Sequence, residues 1–278
     1  MKVGGTTISI VSDGTYLIDG GSLFGQVPRS FWEQQIKPDR KNRVKVGLNC
    51  LLIQTPTKNI LVDSGMGSKL LAKHRDTHGL NGNKLLKGLK KEGLTARDID
   101  ILILTHLHFD HCGGCTKLDR SGTPVPTFTK AKVMVQRSCW EEANDPLERS
   151  RSLFDKEDFA PLEESGALSL LDGDSEIVPG VKTKVTNGHS QGHQIVLVEA
   201  GSERIAYLGD LIPTPYHVPL ESISAYDHSP NVTLEAKREI VKMAIDGGWL
   251  LVFGHALDPR AGYIEQRNGR SQLFPVEV

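Results

Sequence analysis

The stretch ILILTHLHFDHCGG, residues 101–114, constrains this chain more than any other. Its first four residues are apolar and rich in β-branched side chains, the pattern of a fully buried strand. His106, His108, Asp110 and His111 then fall within six residues. In an extended chain alternate side chains share a face. His106, His108 and Asp110 therefore point one way, with Leu107 and Phe109 pointing the other. His111 breaks the alternation and calls for a bend, and Gly113 and Gly114 suit a tight strand-to-helix turn. A single histidine in an apolar setting is ordinarily a satisfied core or surface residue. Three of them with a carboxylate, at the end of a buried strand, are expensive to bury without a cation. Neutral imidazole and carboxylate oxygen are donors that zinc and similar divalent ions accept. The alternative is a histidine-rich solvated turn.

With 278 residues the chain can form one large domain or two small ones around a sizeable core. A net charge of −1 argues against a nucleic-acid partner, which usually demands a basic excess. No run approaches the roughly 18 apolar residues of a membrane span. The N-terminal MKVGGTTISIVSDG lacks the apolar core of a signal peptide, so a cytoplasmic location is expected. In that compartment Cys50, Cys112, Cys115 and Cys139 need not pair. Cys112-Gly-Gly-Cys115 is formally a C-x-x-C, but no second such pair completes a structural zinc site. The plainer reading is small residues packing behind the histidines.

Strands at 6–11 and 15–18 read as a hairpin about Asp13-Gly14. DGGSLFGQVP at 19–28 is either a plain connection or an apolar loop at a pocket mouth, with Leu23, Phe24 and Val27 exposed. Further strands are expected at 43–55, 59–62, 132–136, 167–172, 176–178, 181–186, 195–199, 204–208 and 249–253. Amphipathic spacing predicts helices at 83–92 and 232–246, and a short one at 137–144. The charged segment 147–165 reads as helical pieces or surface loop, and 213–227 as a loop. A weak repeat runs through this order. A strand ends at Asp63, a helix follows, and a strand leads to His106; the same sequence recurs with Asp210 and His255. Two sheets with helices outside would accommodate two such halves within a single domain over 1–278.

His106-Leu-His108-Phe-Asp110-His111 resembles the HxHxDH signature of the metallo-β-lactamase superfamily. The resemblance implies an α/β (α+β) fold, a four-layer αββα sandwich, with two metal ions. It implies His106, His108 and His189 on the first ion, Asp110, His111 and His255 on the second, and Asp210 in YLGD bridging both. TNGHSQGH around His189 is close to the family's TPGHTxGH, Asn187 being a turn variation. Asp63 matches a family carboxylate that orients a metal-bound histidine; the alternative is a turn carboxylate. His193 reads as structural, and His74, His78 and His228 as surface residues. Seven nitrogen and oxygen donors suit two zinc ions with positions left for water, Mn2+, Fe2+ or Co2+ being options. Only a carboxylate among them can bridge two cations. Asp110 is also a candidate to guide a proton to the leaving group. Tyr216 and His217 are candidates to stabilise an oxyanion.

DGGSLFGQVP, THLHFDHCGG, DPLERSR at 145–151 and SAYDHSP at 224–230 resemble the N-acyl homoserine lactonase branch of that family. The resemblance implies lactone ring opening by a metal-bridging hydroxide, with Leu23, Phe24 and Val27 contacting an acyl tail. Alternatives are an organophosphate triester or aryl ester hydrolase on the same site and, in another class, a non-catalytic metal-binding protein. True β-lactamase activity fits less well. The flavin-dependent and nucleic-acid-processing members of the fold carry additional domains for which this chain shows no segment. The expected partner is a small ester or lactone, without nucleic acid or membrane, and a homodimer is an option.

Overall fold

The structure is a computed structural model describing residues 1–69, 71, 77–267 and 270–278. His74 lies outside the described residues. The chain forms two compact units, Met1–Tyr16 with Leu48–Gly173, and Leu17–Gly47 with Asp174–Val278.

The first sheet has seven strands in the order β1-β2-β3-β4-β5-β8-β9. They are β1 (Lys2–Val3), β2 (Thr6–Asp19), β3 (Arg43–Gln54), β4 (Asn59–Val62), β5 (Ile101–Ile103), β8 (Lys132–Gln136) and β9 (Leu168–Leu171). β5 pairs in parallel with β4 and β8, Val62 facing Ile103 and Ile103 facing Met134. All three β5 residues are buried, as expected of a parallel strand covered on both faces. Leu102, Leu104 and Leu107 join a core with Leu85 and Leu89 of the Leu85–Lys91 helix. Trp140 of the Arg137–Asn144 helix meets Phe159 of the Lys156–Glu164 helix edge-on at 5.3 Å in the same core. The charged segment 147–165 therefore resolves into a helical turn, Arg151–Leu153, and the Lys156–Glu164 helix capped by Asp155. β6 (Thr116–Leu118) and β7 (Pro124–Pro126) form a separate two-stranded ribbon.

The expected hairpin at 6–18 is corrected: β2 is one continuous strand. Asp13-Gly14 has turn chemistry, but Asp13 is buried and accepts backbone N–H groups from Gly67, Lys84 and Leu85. A side chain at Gly14 would lie 1.9 Å from the Asn81 carbonyl oxygen. The glycine admits a close backbone approach and does not reverse the chain.

The second sheet runs in simple sequence order: β10 (Ser175–Val178), β11 (Val181–Val185), β12 (Gln194–Ala200), β13 (Glu203–Tyr207), β14 (Leu250–Val252), β15 (Ala261–Arg267) and β16 (Arg270–Pro275). β13 and β14 are parallel, and the Pro230–Gly247 helix connects them in sequence. Gly248 ends that helix in the left-handed conformation that favours glycine. Ile240, Val241 and Ala244 from the helix pack with Trp249, Phe253 and Ile264. The β15–β16 hairpin was not among the sequence expectations. The repeat takes the form of two parallel pairs, β4–β5 and β13–β14. Each places an aspartate after its first strand, Asp63 or Asp210, and a histidine after its second, His106 or His255. Among the described residues no helix is long and apolar enough to cross a membrane.

Candidate metal centre

In the first unit the site grows from the end of β5. Thr105 and His106 are fully buried, and His108, with an extended backbone, precedes a helical turn at Phe109–Cys112. The bend therefore comes before Asp110, earlier than alternation alone implies, and Asp110 and His111 project from the turn. A side chain at Gly113 or Gly114 would lie 2.4 Å from Met66 O or 2.1 Å from Ser64 O. These glycines let the chain leave the turn against the 64–66 backbone.

Asp63 fixes two of the rings. It adopts a left-handed backbone with φ 58°, and its carboxylate accepts the Thr105 N–H at 2.8 Å and the Thr105 hydroxyl at 2.9 Å. His111 Nδ1 lies 2.8 Å from Oδ2 of the same carboxylate. A carboxylate only accepts, so His111 donates from Nδ1 and keeps a lone pair on Nε2. The Thr105 hydroxyl has one hydrogen, given to Asp63. Its oxygen, 3.0 Å from His106 Nδ1, must accept there. His106 Nε2 is then also a lone pair, 3.0 Å from His108 Nδ1. Asp110 Oδ2 lies 3.9 Å from His111 Nε2 and accepts a 2.7 Å hydrogen bond from Tyr16.

In the second unit His189 follows β11 on a loop whose Asn187 and Gly188 are both left-handed. A side chain at Gly188 would meet Thr233 Oγ1 at 2.4 Å. His189 Nδ1 lies 2.6 Å from Asp227 Oδ1, and His255 Nδ1 lies 2.8 Å from the Gly47 carbonyl. Both rings therefore donate from Nδ1, leaving lone pairs on Nε2. Those two Nε2 atoms stand 3.2 Å from Asp210 Oδ2 and 3.1 Å from Asp210 Oδ1. Acceptor faces acceptor twice across one carboxylate. This arrangement is stabilised only by a proton or a cation between the facing atoms. The donor set fits divalent metal: imidazole nitrogens of fixed tautomer and a carboxylate with one oxygen toward each ring. His193 serves the backbone instead. Its Nε2 accepts the Asp210 N–H at 3.0 Å, and its Nδ1 lies 2.7 Å from Thr186 Oγ1.

The expected exposure of Leu23 and Phe24 is corrected. Leu23 and Phe24 are buried, at 4% and 1% exposure, within a short helix, Gly20–Phe24, capped by Asp19. The Phe24 ring stacks on Trp32 at 5.2 Å and on His217 at 4.9 Å. Gly20 makes room for Trp32, whose ring would lie 2.5 Å from a side chain there. Phe24 is covered by these neighbours and is not open to an acyl tail. His217 is likewise corrected as an oxyanion group. Its Nε2 donates to Leu23 O at 2.9 Å, and its Nδ1 is 2.7 Å from Thr214 Oγ1. Burial pushes its pKa down to about 4, so it is a neutral strut with both nitrogens engaged. Tyr216 and Val27 are half-buried. His78, packed on Phe109 at 6.0 Å, and His228 are half-buried too.

All four cysteines are buried thiols outside any disulfide. Burial pushes the Cys112 thiol well up and Cys115 to about 12. Cys112 Sγ donates to Leu107 O, and Cys115 Sγ faces Ser64 Oγ at 3.2 Å. Sequence reasoning missed Asp227, Thr105, Tyr16 and the Gly47 carbonyl. Asp227 lies within SAYDHSP, but no local spacing ties it to His189, 38 positions away.

His and Asp clusters able to hold metal ions are thus present. The model of the metallo-beta-lactamase superfamily matches residues 45–255. A probable metal-dependent hydrolase from Staphylococcus aureus superposes with a TM-score of 0.91 at 30% identity, covering 100% of this chain and 99% of that one. An N-acyl homoserine lactonase from Bacillus cereus is 29% identical over 178 residues, 60% of this chain and 64% of the relative. The chain thus spans less than two thirds of that relative's length. AidC, a dizinc quorum-quenching lactonase in complex with a product, has the same fold, with a TM-score of 0.82 at 20% identity over 100% of this chain and 97% of that one. With the family pattern running from β3 through His255, this chain belongs to the metallo-beta-lactamase superfamily.

Proposed function

We propose that the chain is a dinuclear metal hydrolase that opens lactone rings bearing an acyl tail, N-acyl homoserine lactones being the leading class. The observation that carries it is the pair of acceptor–acceptor contacts at Asp210, which call for positive charge on both carboxylate oxygens. By resemblance to the family pattern, one ion would be held by His106, His108 and His189 and the other by Asp110, His111 and His255, with Asp210 shared. Zinc is the first candidate for this donor set. Bound ions of this kind lower the pKa of water to about 7 and polarise a carbonyl.

The chain's own residues prepare that chemistry. Asp227 and the Gly47 carbonyl set the tautomers of His189 and His255. Asp63 does the same for His111 directly and for His106 through Thr105. Tyr16 orients Asp110, the group we assign to pass the proton of the attacking water on to the departing alkoxide. With Leu23, Phe24 and His217 engaged elsewhere, Val27 and Tyr216 remain the candidates for substrate contact. The lactonase reading is supported by the named activity of the Bacillus relatives. A cytoplasmic location and a small-molecule substrate belong to the same proposal.

The test is a panel of lactones of graded acyl length, aryl esters and phosphotriesters, run with zinc-loaded and chelated protein. Zinc-dependent ring opening that exceeds the other two classes supports the reading. Hydrolysis of phosphotriesters or aryl esters with every lactone untouched would remove the substrate assignment and leave the metal site.

A further inference from the structure

The Pro230–Gly247 helix buries Thr233, Lys237, Ile240, Val241 and Ala244. Lys237, at 0% exposure, is the misfit on that face. An ammonium removed from water is costly unless its hydrogens are bonded. Here Nζ donates to two backbone carbonyls, Pro219 O at 2.6 Å and Ser222 O at 2.8 Å. Pro219 O also accepts the Ser222 N–H, so Lys237 closes over a turn at 219–222. Burial lowers its pKa to about 8, while the Asp227 and Glu221 charges favour the ammonium, which persists at neutral pH.

That turn sits in the middle of a loop with little regular structure of its own. On one side, Thr214 and His217 tie the loop to the Leu23 carbonyl. On the other, the Ser224 hydroxyl and the Ala225 N–H both donate to Ser22 O. Asp227 then reaches His189 Nδ1 at 2.6 Å. Apolar residues already anchor the helix, and among the described residues the ammonium bonds only to the carbonyls of the 219–222 turn. It does dictate the path of the loop that delivers Asp227.

We propose that Lys237 is a positioning residue for the metal site: by clamping the 219–222 turn it holds Asp227 against His189 and so aims His189 Nε2. This rests on the reading of His189 as a metal ligand. The clamp acts through Asp227, so removing either member of the relay should have one and the same effect.

The experiment measures zinc affinity by chelator competition, below the unfolding temperature, for wild type, Lys237→Met, Asp227→Asn and the double variant. Asp227→Asn should bind zinc about 10- to 100-fold more weakly, the usual cost of losing a ligand's hydrogen-bond partner. Lys237→Met should lose about tenfold, and the double variant should be no weaker than Asp227→Asn alone, the non-additivity of a shared path. Lys237→Arg, which keeps donors for both carbonyls, should recover most of the affinity. Ile240→Ala, a core truncation on the same helix, should lower stability and leave affinity unchanged. Should Lys237→Met not fold, Lys237→Gln takes its place in the cycle. Wild-type affinity in the lysine variant, additive losses in the double variant, or an equal loss in Ile240→Ala would overturn the proposal. A wild-type chain that binds no zinc would remove the ligand reading of His189 and this inference with it.

Discussion

Phe24 separates two accounts of the N-terminal loop by their observables. As a lining for an acyl tail, its loss would change substrate preference and spare stability. As the middle ring of the Trp32–Phe24–His217 stack, its loss would do the reverse. Phe24 is 1% exposed, and truncating a buried Phe to Ala costs about 3–5 kcal/mol. Each lost aromatic pairing is worth about 0.5–1.5 kcal/mol beyond area. His217 would also lose the ring that covers one face, although its bonds to Leu23 and Thr214 can persist. Taking about 4 kcal/mol overall, Tm should fall by about 10 °C, since 1 kcal/mol shifts a chain of this size by roughly 2–4 °C. Phe24→Leu, which keeps apolar volume and gives up the stacking, should fall by less than half as much. The assay is a thermal scan at fixed zinc concentration, paired with kcat/KM across an acyl-length series. A Tm within about 2 °C of wild type, together with a flattened dependence on acyl length, would refute the strut and restore the tail contact.

Three further outcomes follow from named groups. His217 titrates near 4 in the folded chain and at the ordinary 6.5 unfolded, so its contribution is present above pH 6.5 and lost as pH falls towards 4. Compared with His217→Gln, the wild type should lose up to about 3 kcal/mol more stability over that window, read from urea midpoints at a series of pH values. Asp63→Asn should weaken zinc binding by about 10- to 100-fold through His111 and, by way of Thr105, His106; an unchanged affinity would make Asp63 a turn residue alone. Cys112 and Cys115 should resist a thiol reagent until urea unfolds the chain, and Cys112→Ala/Cys115→Ala should keep its full metal content. Loss of an ion in that double variant would mean the C-x-x-C takes part in binding.

The parts of this molecule legible in the sequence are those whose cause is local. The apolar run 101–104 gives β5, and ligand types crowded at 106–111 give a metal-binding turn, because chemistry and periodicity coincide there. The Pro230–Gly247 helix is legible for the same reason, its apolar row and its terminal residues agreeing. Reading failed where one local signal has two physical uses. Asp13-Gly14 has the residues of a turn, but Asp13 is a buried acceptor for distant N–H groups and Gly14 admits the Asn81 backbone. Leu23 and Phe24 look exposed in a glycine-rich segment until Trp32 and His217 close over them. The residues that set the histidine tautomers, Asp227, Thr105 and Gly47, were invisible because their roles depend on partners brought close only by folding. Lys237 was hidden by the helical pattern itself, which marks a face but does not reveal one misfit on it.

The dinuclear site is defined by its metal ions, and the direct measurement is their number per chain. Elemental analysis of protein dialysed against metal-free buffer should find about two ions in the wild type, as in two-metal hydrolases. Asp210→Asn, which keeps the size of the group and removes the charge facing His189 and His255, should lose at least one ion, and hydrolytic activity should fall with it. One ion or none in an active wild type, or two ions retained by Asp210→Asn, would contradict the dinuclear site.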